Sequence, residues 1–109
     1  MTDNVTMTIS ELAKAIIKLA SEKNVMLVLA ESCTGGMIAA ALTDIAGSSA
    51  VLDRGLVTYS NQAKQDLLGV SDDILASHGA VSVETAIAMT SGALMKTPAA
   101  QLAASVTGI

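Results

Sequence analysis

Val25-Met26-Leu27-Val28-Leu29-Ala30 is apolar at every position. No alternation marks one side as wet, so a strand here is covered on both faces, as inside an α/β sheet. The character then changes at once. Glu31-Ser32-Cys33-Thr34-Gly35-Gly36 is polar and ends in two glycines, and Met37-Ile38-Ala39-Ala40-Ala41-Leu42 follows with helix-forming residues. A strand-to-helix turn of this kind lifts a small nucleophile or a group of backbone N–H donors to the edge of a sheet. The helix N-terminus behind it carries unpaired donors and partial positive charge. From these residues alone the turn is a catalytic elbow, an anion cradle or only a tight turn.

The rest of the chain supplies the layers that such a strand needs. Thr8-Ile9-Ser10-Glu11 matches a capping box. Behind it, Ile9, Leu12, Ile16 and Leu19 share one helical face and Glu11, Lys14, Lys18 and Glu22 the other, which predicts an amphipathic helix packed by its apolar stripe. Asn24 suits a left-handed stop. The helix after Gly36 is expected to end near Asp44 to Ala46, before Gly47-Ser48-Ser49. Val51 to Ser60 reads as a strand, with Gly55 as a possible bulge. Asn61 to Leu68 reads as a helix closed by Gly69, and a second begins at Ser71-Asp72-Asp73 and closes at Gly79. A third starts at Ser82-Val83-Glu84 and runs to about Lys96, with Val83, Ile87, Thr90 and Leu94 as its stripe. Gly92 inside it costs about 1 kcal/mol relative to Ala, and Pro98 lies beyond its end. Leu102 to Thr107 is a last strand. Residues 1–7 are polar and expected to fray. The order predicts one layered α/β domain over residues 1–109.

Composition narrows the function classes. Tyr59 is the sole aromatic residue, so the core is built from Ala, Val, Ile, Leu and Met. A core so poor in large side chains leans on a partner subunit or on further chain. The net charge of −4, with no basic run, argues against a nucleic-acid surface. No apolar run approaches the roughly 18 residues that cross a bilayer, and no signal peptide is apparent at Met1-Thr2-Asp3-Asn4. Cys33, the single cysteine, excludes an internal disulfide and a Cys-rich zinc site and suits a reducing cytoplasm. No metal-ligand spacing is present, and neither a metal nor a cofactor is expected. Cytoplasmic localisation follows.

Four polar residues stand at or just past strand ends: Ser32, Tyr59, Lys64 and Thr107. Ser32 follows a buried strand, and Gly35 and Gly36 let a ligand approach the backbone closely. Ser32 or Thr34 serves equally well as the N-cap of the next helix. The turn is neither a Gly-x-Ser-x-Gly elbow nor a P-loop. Lys64 lies in the first turns of its helix, the wrong end of the dipole for a cation. It is either an exposed lysine or, once buried, a base with a lowered pKa. Glu31 either orients a lysine or is exposed. Cys33 lacks a good histidine partner, because His78 sits beside the helix-ending Gly79.

Several longer motifs occur in a fixed order: Ala30-Glu31-Ser32-Cys33-Thr34-Gly35-Gly36, Leu42-Thr43-Asp44-Ile45-Ala46-Gly47-Ser48-Ser49, Arg54-Gly55-Leu56-Val57-Thr58-Tyr59-Ser60-Asn61-Gln62-Ala63-Lys64, His78-Gly79-Ala80-Val81-Ser82 and Thr107-Gly108-Ile109. Together they resemble the CinA C-terminal domain family, from about residue 8 onward. The resemblance implies a three-layer α/β/α sandwich that forms homo-oligomers. It also implies metal-free hydrolysis of nicotinamide mononucleotide to nicotinic acid mononucleotide and ammonia, in pyridine-nucleotide salvage.

Position by position, the resemblance makes Ser32 the nucleophile and Lys64 its base, with Tyr59 and Thr107 assisting proton transfer or positioning the amide. Thr34, Gly35, Gly36 and Gly108 become substrate-binding, the turn holding either an oxyanion or the phosphate. Family domains continue past Thr-Gly-Ile into further strands and a closing helix, so the resemblance implies an incomplete sheet here. A non-catalytic nucleotide-binding or protein-interaction module and an inactive fragment of the enzyme stand as alternatives.

Overall fold

The computed structural model describes residues 6–108. Most of the fraying expected of residues 1–7 therefore falls outside the described residues, as does Ile109. The elements are α1 (Ile9–Glu22), β1 (Leu27–Glu31), α2 (Met37–Thr43), a 3₁₀ turn (Ser48–Ala50), β2 (Leu52–Val57), α3 (Asn61–Leu68), α4 (Asp72–His78), α5 (Val83–Met95) and β3 (Leu102–Val106). The 3-stranded sheet has the order β2-β1-β3 and is parallel throughout. This is the expected α/β architecture, with β1 in the centre.

The apolar run explains that placement. All five residues of β1 are buried. Period-2 alternation sends Leu27 and Leu29 to one face, where they join Ala13, Ile17, Ala20, Leu42 and Val51 from the α1/α2 layer. Val28 and Ala30 join Leu68, Val70, Leu75, Met89 and Ala93 from the α3/α4/α5 layer. A strand buried on both faces has no position left for a solvated residue, hence the absence of alternation.

Local signals set the helix ends. Thr8 and Glu11 form the capping box of α1, and Asn24 has φ 54° just beyond its end. Ser60, Ser71 and Ser82 each accept from the backbone N–H three residues on, and Gly69 closes α3 in the left-handed region. The 3₁₀ turn stands where Gly47-Ser48-Ser49 was expected to break the chain.

The two helix stripes are corrected by the structure. Ile9, Leu12, Ile16 and Leu19 of α1 are exposed, and its buried residues are Ala13, Ile17 and Ala20. Val83 and Ile87 of α5 are likewise exposed, and Thr85, Met89, Gly92 and Ala93 are buried. Small residues predominate on the inner faces, beside Ile17 and Met89, and at Gly92 the approach is close. A Cβ on Gly92 would lie 1.8 Å from the Leu68 carbonyl oxygen, so α5 crosses the end of α3 only with glycine there. The bulge is corrected too. Leu27 pairs with Leu52 and Val28 with Arg54, which leaves Asp53 as the extra residue of β2. Gly55 pairs regularly with Leu29. Its Cβ would stand 3.0 Å from Ala39 Cβ, so it admits α2 against β2.

Candidate active site

The turn after β1 lies at the C-terminal edge of the parallel sheet, where ligands bind in open α/β folds. Ser32 is buried there, its N–H donating to the Val106 carbonyl of β3 at 2.9 Å. α3 begins just past the end of neighbouring β2, so its first turns stand beside the same edge. Lys64, the fourth residue of α3, reaches Ser32 from there. Its Nζ donates to Ser32 Oγ at 3.1 Å and to the Tyr59 carbonyl at 3.2 Å, and Ser32 Oγ–H donates to the same carbonyl at 3.4 Å. Lys64 is 1 % exposed and pairs with no carboxylate among the described residues.

Burial pushes the Lys64 ammonium below its ordinary pKa, against a smaller opposing effect of the nearby Cys33 thiol. A lysine at the positive end of a helix, desolvated and without a counter-ion, holds its proton weakly. That is what a base for a serine hydroxyl requires. The pair lines a cavity of about 240 Å³ together with Cys33, Tyr59, Asn61, Ala80 and Gly108. A larger apolar groove of about 430 Å³ lies away from the pair, between α1 and β3.

The sequence-nominated residues do not all converge as expected. Ser32, Lys64, Tyr59 and Gly108 line the one cavity. Tyr59 meets the pair with its backbone carbonyl, and its residue as a whole is 73 % exposed. Thr107 Oγ1 donates to the Ala80 carbonyl at 2.7 Å, tying the end of β3 to the α4–α5 connection rather than touching the pair. Neither Ser32 nor Thr34 caps α2. Its N-cap is Gly36, at φ 102°, a value that glycine adopts freely.

The N–H groups of the two glycines are already used. Gly35 N donates to the Ser32 carbonyl at 3.1 Å, and Gly36 N to Glu31 Oε1 at 3.2 Å. Among the described residues the N–H groups of Cys33 and Thr34, next to the serine, have no protein acceptor. Glu31 is neither exposed nor beside a lysine: it is a buried carboxylate on the α2 side of the sheet. Asn61 and Ala80 were missed. Both stand in motifs that carry the resemblance, Asn61 just after Ser60 and Ala80 in His78-Gly79-Ala80-Val81-Ser82, and that was the available signal. Among the described residues no three His, Cys, Asp or Glu side chains come together to hold a metal ion.

The model of the CinA C-terminal domain matches residues 9–109. The nicotinamide-nucleotide amidohydrolase PncC of Escherichia coli (strain K12) is 47% identical over 109 residues, 100% of this chain and 64% of its own length. A CinA-like protein of Geobacter sulfurreducens is 54% identical over 95 residues, 87% of this chain and 23% of its own. A crystal structure of a competence-damaged protein (CinA) superfamily protein from Escherichia coli aligns with TM-score 0.93 at 33% identity, over 99% of this chain and 62% of that one. The competence/damage inducible protein CihA of Agrobacterium tumefaciens aligns with TM-score 0.88 at 50% identity, over 99% and 65%. The chain thus spans less than two thirds of each of these relatives, and on its family match, its sequence identities and its fold it belongs to the CinA C-terminal domain family.

Proposed function

We propose that the protein hydrolyses the carboxamide of a nicotinamide mononucleotide, with Ser32 as nucleophile and Lys64 as its base. The observation that carries this reading is the 3.1 Å contact between a buried Lys64 Nζ, paired with no carboxylate among the described residues, and Ser32 Oγ in the lining of a small cavity. The 47% identity to PncC supports the choice of amide.

Neutral Lys64 accepts the Ser32 hydroxyl proton as Oγ attacks the amide carbon. The Cys33 and Thr34 N–H groups, which have no protein acceptor among the described residues, are the donors for the oxygen on which charge develops, where such donors are most effective. The Lys64 ammonium then gives its proton to the leaving nitrogen, the C–N bond breaks, and ammonia departs from an ester on Ser32. Water, deprotonated by Lys64, attacks the ester; nicotinic acid mononucleotide leaves, and Ser32 regains its proton from Lys64. The Tyr59 carbonyl holds the Lys64 Nζ in line throughout. Thr107 acts at one remove by fixing the end of β3.

Ammonia release from nicotinamide mononucleotide, followed with a coupled dehydrogenase, tests the reading. Release is expected from the parent chain and not from Ser32→Ala or Lys64→Ala. Calorimetric binding of the nucleotide without ammonia release overturns it in favour of a nucleotide-binding module.

A further inference from the structure

One buried charge has no part in that scheme. Glu31 ends β1 at 1 % exposure, with no cationic side chain paired to it among the described residues. A carboxylate in such a place is unfavourable unless hydrogen bonds replace its hydration. They do so here. Glu31 Oε1 accepts from Thr34 Oγ1 at 2.6 Å, from Gly36 N at 3.2 Å and from Ile38 N at 3.1 Å, and Oε2 accepts from Ala39 N at 2.9 Å.

The amide donors are N–H groups at the start of α2, which the helix itself cannot satisfy. The N-cap, Gly36, has no side chain to serve them. The Glu31 carboxylate stands where an external anion would otherwise be drawn. Burial alone would raise its pKa. The Thr34 hydroxyl and the N–H groups of Ala39, Ile38 and Gly36 outweigh burial and lower it, so the group stays charged.

The geometry gives this clamp a bearing on the nucleophile. Strand alternation sends Glu31 to the α2 side and Ser32 to the α3 side, where Lys64 waits. Anchoring residue 31 to Thr34, Gly36, Ile38 and Ala39 closes a loop around residues 32–35 and fixes the backbone that aims Ser32. We propose that Glu31 is a positioning residue: an internal anion that locks the Ser32 turn to the start of α2 and holds Ser32 against Lys64 before substrate arrives. The proposal rests on the Ser32–Lys64 reading for its catalytic consequence but not for its structural one.

Three measurements on the full chain test it, using Glu31→Ala, Glu31→Gln, Thr34→Val and Thr34→Ser. Amide hydrogen exchange reads the clamp. Glu31→Ala is expected to raise exchange at Gly36, Ile38 and Ala39 by about tenfold or more, with Leu29 and Ala30 unchanged. A fluorophosphonate probe, which phosphonylates reactive serines, reads Ser32. Labelling slows by about tenfold or more in Glu31→Ala and Thr34→Val, and Thr34→Ser restores it to within about twofold. Ammonia release from nicotinamide mononucleotide falls in kcat by about 10- to 100-fold while KM stays within about threefold.

Exchange and labelling that match the parent in Glu31→Ala overturn the proposal. So does an equal loss of labelling in Val51→Ala, a core variant remote from the clamp. Should Glu31→Ala not fold, Glu31→Gln decides. Its amide oxygen can keep the Oε1 donors while its NH₂ opposes Ala39 N–H, so exchange rises at Ala39 first; no rise there overturns the proposal. A parent chain that labels at Ser32 but releases no ammonia removes the amidohydrolase reading, and exchange and labelling still decide Glu31. A Ser32 inert to the probe in the parent overturns the catalytic reading and the positioning of a nucleophile, and exchange at Gly36, Ile38 and Ala39 then decides the clamp alone.

Discussion

The two sides of β1 differ in how they are closed. At its C-terminal turn, buried polar groups find partners: Glu31 serves Thr34, Gly36, Ile38 and Ala39 nearby in the chain, and Lys64 reaches across from α3 to serve Ser32 and Tyr59. Beside β3, the apolar surface is left open. Ile16, Leu19 and Leu102 border the groove between α1 and β3, and Val83 and Ile87 border a second depression on the α5 side; all five are exposed. The difference teaches that in this chain apolar area marks packing surface, whereas the chemistry sits where buried polar atoms meet. The larger cavity is lined by apolar residues apart from Lys23, and no nucleophile stands beside that amine in its lining.

That contrast can be broken most sharply at the pair itself. Ser32→Ala and Lys64→Ala should each lower ammonia release by about three orders of magnitude or more while leaving the fold intact by circular dichroism. The pH dependence sharpens the same point. Lys64 has its pKa lowered by burial, so kcat/KM should rise with pH along a limb whose midpoint lies below the ordinary lysine range. A limb at the ordinary lysine value would mean that Lys64 is not the base.

Next in size is Gly92→Ala. The added Cβ would lie 1.8 Å from the Leu68 carbonyl oxygen, so α5 must move off α3. Denaturant unfolding should show a loss of about 3 kcal/mol, the upper end of ordinary overpacking. A neutral result would show that the two helices are not held at this distance. The sequence reading of Gly92 as a mild helix-weakening residue had the opposite sign, because propensity does not register a neighbouring backbone.

A smaller effect is expected at Glu31. Its folded pKa is lowered, so the charged carboxylate stabilises the fold fully above the unfolded-state pKa. That contribution is lost as pH falls through the folded value. Thermal unfolding of the parent should therefore lose stability below the ordinary carboxylate range more steeply than Glu31→Gln does. Parallel curves would show that the carboxylate is not held by its four donors.

The smallest effect belongs to the open side. Ile87, 61 % exposed, and Ile16 should each accept Lys at a change of no more than about 0.5 kcal/mol in unfolding free energy. A loss like that of Gly92→Ala would mean that these stripes are covered in solution, and sedimentation velocity of the parent would reveal the partner copy.

Much of this was legible beforehand, for reasons that lie in short stretches of chain. The caps at Thr8, Ser60, Ser71 and Ser82 and the stops at Asn24, Gly69 and Gly79 are local chemistry, and they stand in the structure where the residues put them. The central strand was legible because a strand covered on both faces needs an unbroken apolar run. Ser32 and Lys64 were nominated by their places at a strand end and a helix start. Their meeting was decided by β2 lying beside β1 in the sheet, which no local signal contains.

The tertiary structure also decided which helix faces turn inward. Both amphipathic stripes were real in the sequence, yet α1 buries Ala13, Ile17 and Ala20 and α5 buries Thr85, Met89, Gly92 and Ala93, because the sheet and neighbouring helices decide which face turns inward. It decided the partner of Glu31 as well. The sequence allowed an exposed acid or a lysine's partner, and the helix N-terminus brought back against the strand made it an internal anion. Local order is set by what each residue does to its own backbone, whereas burial, pairing and proton affinity depend on what distant segments bring to the same place.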